Sequence, residues 1–472
     1  NSIRSVSLMC CTSSLNSAQG ISNADVLFGH PLHQSLIPDG GNLQIIIIGF
    51  LMANIPVVVT GLGPVSAIGC GRQEFWNALI KGEHGFGPIT LCDTSRSPSK
   101  IGAEVKDFRL ERYIEHGRMS ARRTPRPVQL ALAASALALR DADINLAACD
   151  VNRIGVCVGT AVGNIGDGLV VRDRWLKSED QSFNSETAFH LFNHSAACVL
   201  SSFFDLRGPM HTISSGCNSG LDALGLSQRL IQLGLVDAML VVGTDCELVP
   251  EILAALNASK SLATRYNDDP GRASRPFDVH RDGNVTGEGA AALLVESEPH
   301  AQARGAKRYA RVAGHSVCAA GRNRTYNHDS PEIDLLPCVR ALQGAMNEAG
   351  WKPEEVEVVN ANGSSSVVYD KLEALALMET FGAALPGVRV HSIKSMLGQH
   401  GAGSSALQAV AACLSIAEGI VPPTINHDHP DAACGAMRVV TAAEACNPKN
   451  VLVHAIGFRG FYYSCAAFTA PD

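Results

Sequence analysis

The stretch Thr212-Ile213-Ser214-Ser215-Gly216-Cys217-Asn218-Ser219-Gly220-Leu221-Asp222-Ala223 sets one cysteine among small residues, after an apolar strand and before a helix-forming run. A thiol at a helix start meets oriented backbone N–H groups and the positive end of the macrodipole, and both favour thiolate over thiol. Gly216 and Gly220 allow a sharp turn and the close approach of a substrate. Free cysteines are usually small, buried core residues. The chain has 15 cysteines, and Cys217 stands apart from the others in its glycine-flanked, helix-opening setting.

A chain of 472 residues exceeds the usual size of one compact domain, so two similar halves are expected. Hydrophobic residues make up 46% and charged residues 18%, which excludes a largely disordered protein. Aromatics are only 5%, and small residues are frequent, as suits helices packed closely on a buried parallel sheet. Apolar runs at 154–158, 238–242, 291–295 and 451–456 read as such strands, with a first strand beginning near Pro56. Helical spacing of apolar residues predicts helices over 128–140 and 338–349. A net charge of −7 gives no general attraction for nucleic acid or acidic membranes. With no CxxC pair, the cysteines read as reduced cytoplasmic thiols rather than a metal site or a disulfide framework.

Further segments carry a resemblance: Arg275-Pro276-Phe277-Asp278 with Arg281-Asp282-Gly283, then Gly287-Glu288-Gly289-Ala290, Val359-Asn360-Ala361, Ile393-Lys394-Ser395-Met396, Val421-Pro422-Pro423-Thr424 and Gly457-Phe458. Together with 212–223 the chain resembles the β-ketoacyl synthases, above all the ketosynthases of dissociated bacterial polyketide systems. The resemblance implies an α/β thiolase fold: five layers, αβαβα, from two pseudo-symmetric halves, here placed at 53–305 and 306–472. The nucleophile belongs to the first half, and Asn362, Gln399 and Phe458 belong to the second. Residues 1–51 carry none of the pattern, and Met52 reads as the natural start. This leader is expected to be poorly ordered and foreign to the folded protein. The apolar run from Ile45 to Val59, interrupted by Asn54 and Pro56, is too short for a membrane span.

Elongating relatives resemble one another in two histidines, one in an Asn-Ala-His-Gly segment and one in Lys-Ser-Met-x-Gly-His. This chain reads Asn360-Ala361-Asn362-Gly363 and Lys394-Ser395-Met396-Leu397-Gly398-Gln399, so both expected histidines are amides. His400 is one place too far, and at a helix start one residue turns a side chain by about 100°. An amide can polarise a carbonyl but cannot exchange a proton near neutral pH as imidazole does.

By the same resemblance, the N–H groups of Cys217 and Phe458 form the oxyanion hole. Arg459 stands where relatives usually carry glycine; it is expected to be strained if its φ is positive, and otherwise to lie at the surface or face the substrate channel. Lys394 and Glu373 are expected in a buried polar network behind the amides. His454, then His211 and His400, are the remaining candidates for a base. The leading expectation is an acyltransferase that loads Cys217 and then forms a C–C or C–O bond, or closes a ring, without decarboxylating an extender. Alternatives are a decarboxylative synthase and a chain-length-factor-like subunit. Expected partners are an acyl carrier protein or an acyl-coenzyme A thioester and a second copy of the chain, or another ketosynthase, with no cofactor and no metal. Arg118, Arg122, Arg123 and Arg126 form a basic cluster that is either a solvated face or a steering patch for an acidic carrier.

Overall fold

The computed structural model describes residues 55–115, 124–178, 187–321 and 334–471. The leader 1–51 and Arg118, Arg122 and Arg123 fall outside them.

The apolar runs lie within strands, two of them about twice the expected length or more: Ile154–Gly159, Ala238–Cys246, Thr286–Ser297 and Asn450–Ile456, with Val57–Ser66 first in the chain. Nearly every position in them is buried, the mark of sheets covered on both faces. The expected helices span Arg126–Asp141 and Leu336–Ala349. Pro127 opens the first, where its missing N–H would have no partner anyway. Gly350, at φ +73°, closes the second in the left-handed region that glycine enters without strain.

A continuous sheet joins the two halves through antiparallel pairing of Val57–Ser66 with Ala310–Ala319. From Val57–Ser66 outward, two antiparallel steps lead through Thr286–Ser297 to Ala238–Cys246, and two parallel steps lead through Ile154–Gly159 to Met210–Ile213. From Ala310–Ala319 the sequence of directions repeats: antiparallel to Tyr462–Thr469 and Asn450–Ile456, then parallel to Val358–Asn360 and Arg389–His391.

Helices Arg126–Asp141 and Ser195–Phe204 cover the outer face of the first half, and Leu336–Ala349 and Val367–Phe381 that of the second. Between the two sheet halves lie Ser219–Gln232 and Gly401–Glu418, packed on one another and on strands from both. These layers make the expected αβαβα arrangement. The central helices approach closely because Gly220 has no side chain: a Cβ there would collide with the Ala402 carbonyl oxygen. The central apolar cluster includes Leu221, Leu224, Val241, Leu293, Leu407 and Val453, so it belongs to both halves.

Candidate active site

Strand Met210–Ile213 runs into a turn where Gly216 takes φ +89°, and Asn218 opens the helix Ser219–Gln232. Cys217 therefore stands one residue ahead of the helix cap. Asn218 Nδ2 donates to the carbonyls of Ala455 (3.1 Å) and Tyr462 (3.2 Å), which ties the Cys217 turn to the loop Gly457–Phe461. A Cβ built on Gly216 would lie 4.0 Å from Phe458 N. Among the described residues, neither the Cys217 N–H nor the Phe458 N–H has a hydrogen-bond acceptor. Two free N–H groups beside the thiol are the arrangement that stabilises charge developing on an attacked carbonyl oxygen.

Cys217 opens onto a cavity of about 990 Å³ whose wall includes Asn362, Gln399, Phe458 and Arg459. The structure thus brings together all four positions expected at the site, from both sequence halves. Helix Pro250–Ala258 supplies much of the apolar wall through Ile252, Ala255 and Leu256.

The Asn362 side chain has a fixed orientation. Its Oδ1 accepts from Lys394 Nζ at 2.6 Å and from Ile456 N–H at 3.1 Å. Both partners can only donate, so the oxygen is assigned and the NH₂ is what the amide offers to a ligand. Glu373 holds the same turn from behind, accepting from the N–H groups of Asn362 (2.7 Å) and Gly363 (2.8 Å). His454 is part of that support: Nδ1 meets Glu373 Oε1 at 2.6 Å and Nε2 meets Cys338 Sγ at 3.5 Å. Lys394 is buried, which brings its amine down to about 8, while Cys217, Glu373 and Asp370 pull the other way.

Gln399 bonds to Cys217 and favours its thiolate form, a role open only to the Nε2 donor. Its Oε1 is buried without a partner among the described residues. The electrostatics at Cys217 do not match the local expectation of a thiolate. Burial pushes the thiol up to about 12, Glu247 adds to the shift, and Lys394 and Gln399 only partly offset it. The thiol is partly accessible, but only to a cavity with low polarity, and a helix-terminus argument cannot register that surrounding protein.

The candidate bases do not reach the cavity. His454 lies in the network behind Asn362, and His211 lies on the strand Met210–Ile213. His400 is buried with both ring nitrogens unbonded, and burial keeps it neutral, lowered to about 3. No histidine belongs to the cavity wall among the described residues. Arg459 sits at φ +58°, the left-handed region where a side chain costs energy, and it also lines the cavity, so strain and exposure to the channel coexist. Arg126, expected in a basic surface cluster, instead bonds Glu288, with Nη2 2.6 Å from Oε1 and Nε 2.8 Å from Oε2.

Sequence reading missed Glu247 and Thr286, both on the cavity wall. Glu247 directly follows the strand Ala238–Cys246, where a carboxylate reads as the polar end of an apolar run, and only the assembled fold places it near Cys217.

The sequence matches the β-ketoacyl synthase N-terminal domain over residues 54–301 and the C-terminal domain over 309–428. It is 35% identical over 416 residues to the 3-oxoacyl-[acyl-carrier-protein] synthase 2 of Synechocystis sp., covering 87% of this chain and 97% of that protein. The fold is similar, with TM-score 0.80 and 30% identity over 89% of this chain and all of the other, to a solved type II polyketide synthase acyl-carrier protein in complex with its ketosynthase bound to the hexaketide. It is also similar to the ishigamide ketosynthase/chain length factor, with TM-score 0.81 and 28% identity over 89% of this chain and all of the other. Fold and site together define a thiolase-fold enzyme. The chain belongs to the β-ketoacyl synthase family of acyltransferases. No helix among the described residues is long and apolar enough to cross a membrane.

Proposed function

We propose that the protein accepts an acyl group from a carrier-protein or coenzyme A thioester onto Cys217. It then passes that group to a carbon, oxygen or nitrogen nucleophile, or closes it into a ring, without decarboxylating an extender. The observation that carries this reading is the composition of the cavity: a thiol, two free N–H donors and two amides, with no imidazole on its wall among the described residues. The N–H pair supports addition to the thioester carbonyl. Asn362, with its oxygen tied to Lys394, supports holding a carbonyl but cannot itself give up or take a proton near neutrality. The setting is specialised-metabolite assembly, since the solved relatives include ketosynthases of polyketide systems.

A second copy of the chain fits the edge of the first half. The strand Met210–Ile213 pairs only with Ile154–Gly159 among the described strands, so its other side can continue the sheet across a twofold axis. Pairing there with another ketosynthase is the competing arrangement, supported by the likeness to a ketosynthase/chain length factor.

The deciding experiment follows carbon dioxide release from a malonyl carrier protein, with intact-mass analysis of Cys217 after incubation with acyl thioesters. Acylation without appreciable decarboxylation is the expected result. Rapid decarboxylation by the unmodified protein places it among the elongating synthases, and a Cys217 that never acylates favours the partner-subunit role.

A further inference from the structure

We propose that Glu247 is the catalytic acid–base of this cavity, exchanging the proton that Cys217 loses on acylation and regains on release. The assignment rests on the reading of Cys217 as the acylated residue.

Glu247 lines the same cavity as Cys217, Asn362 and Gln399, on a side chain that is almost wholly buried. Its Oε2 accepts from Thr286 Oγ1 at 2.8 Å, and the Gly401 N–H is its other donor. The neighbouring carboxylate Asp245 has a different situation. It accepts from Thr160 Oγ1 (2.7 Å) and from the N–H groups of Ala161 (2.8 Å), Val162 (3.0 Å) and Ala402 (2.6 Å), so its lone pairs are occupied by the turn it braces. Of these two carboxylates, Glu247 is the one on the cavity wall. The buried Gln399 Oε1, on the same cavity wall, has no partner among the described residues and marks a second polar position for a ligand to meet.

The charges around Glu247 tune it for this work. Burial, then Asp245, push its carboxyl up to about 8, while Thr286 and Gly401 restrain the shift. The other ionisable groups of the site are Cys217, itself pushed up, Lys394, which acts on Cys217, and Glu251, Lys260, Tyr369 and Arg459 on the cavity wall; His400 stays neutral. A carboxyl balanced near neutral pH can both take and return a proton.

In loading, the Cys217 thiol gives its proton to the Glu247 carboxylate as Sγ bonds to the thioester carbon. The oxyanion that forms rests on the Cys217 and Phe458 N–H groups. When the carbonyl re-forms, the bond to the donor sulfur breaks and that sulfur takes the proton from Glu247. In release, an attacking hydroxyl, amine or enolisable carbon yields its proton to Glu247 and bonds to the acyl carbon. The Cys217 sulfur then departs and is protonated by Glu247, which ends as it began.

The test measures the rate at which a hexanoyl thioester of N-acetylcysteamine adds its acyl mass to Cys217 between pH 6 and 9. The unmodified protein should load faster as pH rises and level off above about 8, because the ionised carboxylate is the acceptor. Glu247→Gln should load about 10²-fold slower or worse and lose that rise, with circular dichroism confirming its fold. Should the glutamine variant not fold, Glu247→Asp decides the matter: it keeps the titration but loads more slowly. Loading by either variant at the unmodified rate and with the unmodified pH profile overturns the assignment. No adduct at Cys217 in the unmodified protein overturns the acyl-loading reading itself, and Glu247 falls with it.

Discussion

Lys394 Nζ donates to Asn362 Oδ1 over 2.6 Å, and this bond decides which end of the amide meets the cavity. Ile456 N–H holds the same oxygen, so the NH₂ group is presented by two constraints rather than one. An oriented donor contributes to catalysis when charge grows on the atom it faces.

Asn362→Ala should slow turnover by about 10²-fold while leaving Cys217 acylation largely intact, since it removes one donor to developing charge, whereas Gln399→Ala should slow acylation as well, because Gln399 also favours the Cys217 thiolate. Single-turnover and steady-state rates measured on the same preparation separate the two steps. The double change Asn362→His with Gln399→His should raise malonyl decarboxylation above that of the unmodified protein.

Lys394→Met should slow alkylation of Cys217 by iodoacetamide at pH 7, because the amine is the main positive charge lowering that thiol. The lysine loses its proton near pH 8, so the gap between variant and parent should close as pH rises through that value. A gap that persists unchanged to pH 10 would contradict an electrostatic role.

Glu247 should also leave a mark on stability. Its folded carboxyl titrates near 8 instead of 4.5, so the native state holds an extra proton between those values. A raised folded pKa means that the associated stability is present below the unfolded value and is lost as pH rises through the folded one. Relative to Glu247→Gln, the parent should therefore lose thermal stability progressively from about pH 5 to pH 8, as read by paired melting curves.

The Arg126–Glu288 pair is the structural counterpart. Glu288 is fully buried and bound through two oxygens, so Arg126→Ala strands a charge. The expected cost is about 3–5 kcal/mol. Adding Glu288→Gln should restore part of it in urea unfolding.

What the sequence made legible was set by locality. The strands at 154–159 and 238–246 and the helix at 336–349 follow from apolar spacing and end signals within each segment, and they emerged where they were read. Cys217 stood out by its glycine-flanked helix start, but Asn362, Gln399 and Phe458 were legible only through a family resemblance, because four segments distant in the chain converge on one cavity. His454 read as a candidate base from its place on the strand entering the site, yet its side chain turns into the network with Glu373. The protonation of Cys217 was misjudged for a related reason: a helix start is visible in twelve residues, whereas burial and the Glu247 carboxyl come from the assembled fold. Glu247 itself gave no signal, since nothing in Asp245-Cys246-Glu247 tells which carboxylate will be braced by backbone and which will be left open.

The two central helices act as a common keel. Ser219–Gln232 follows Cys217 and Gly401–Glu418 follows Gln399, and they touch where Gly220 admits the Ala402 carbonyl. Thiol and amide are therefore anchored to one rigid spar, and sliding of one sequence half past the other would have to tear that contact before it could open the site. The cavity wall also draws on the Gly457–Phe461 loop and the helix Pro250–Ala258, which take no part in that contact, so under the proposed role of Cys217 their side chains are the ones left to shape the acyl site. In such an architecture, acyl-chain preference and bond-forming chemistry are free to drift independently.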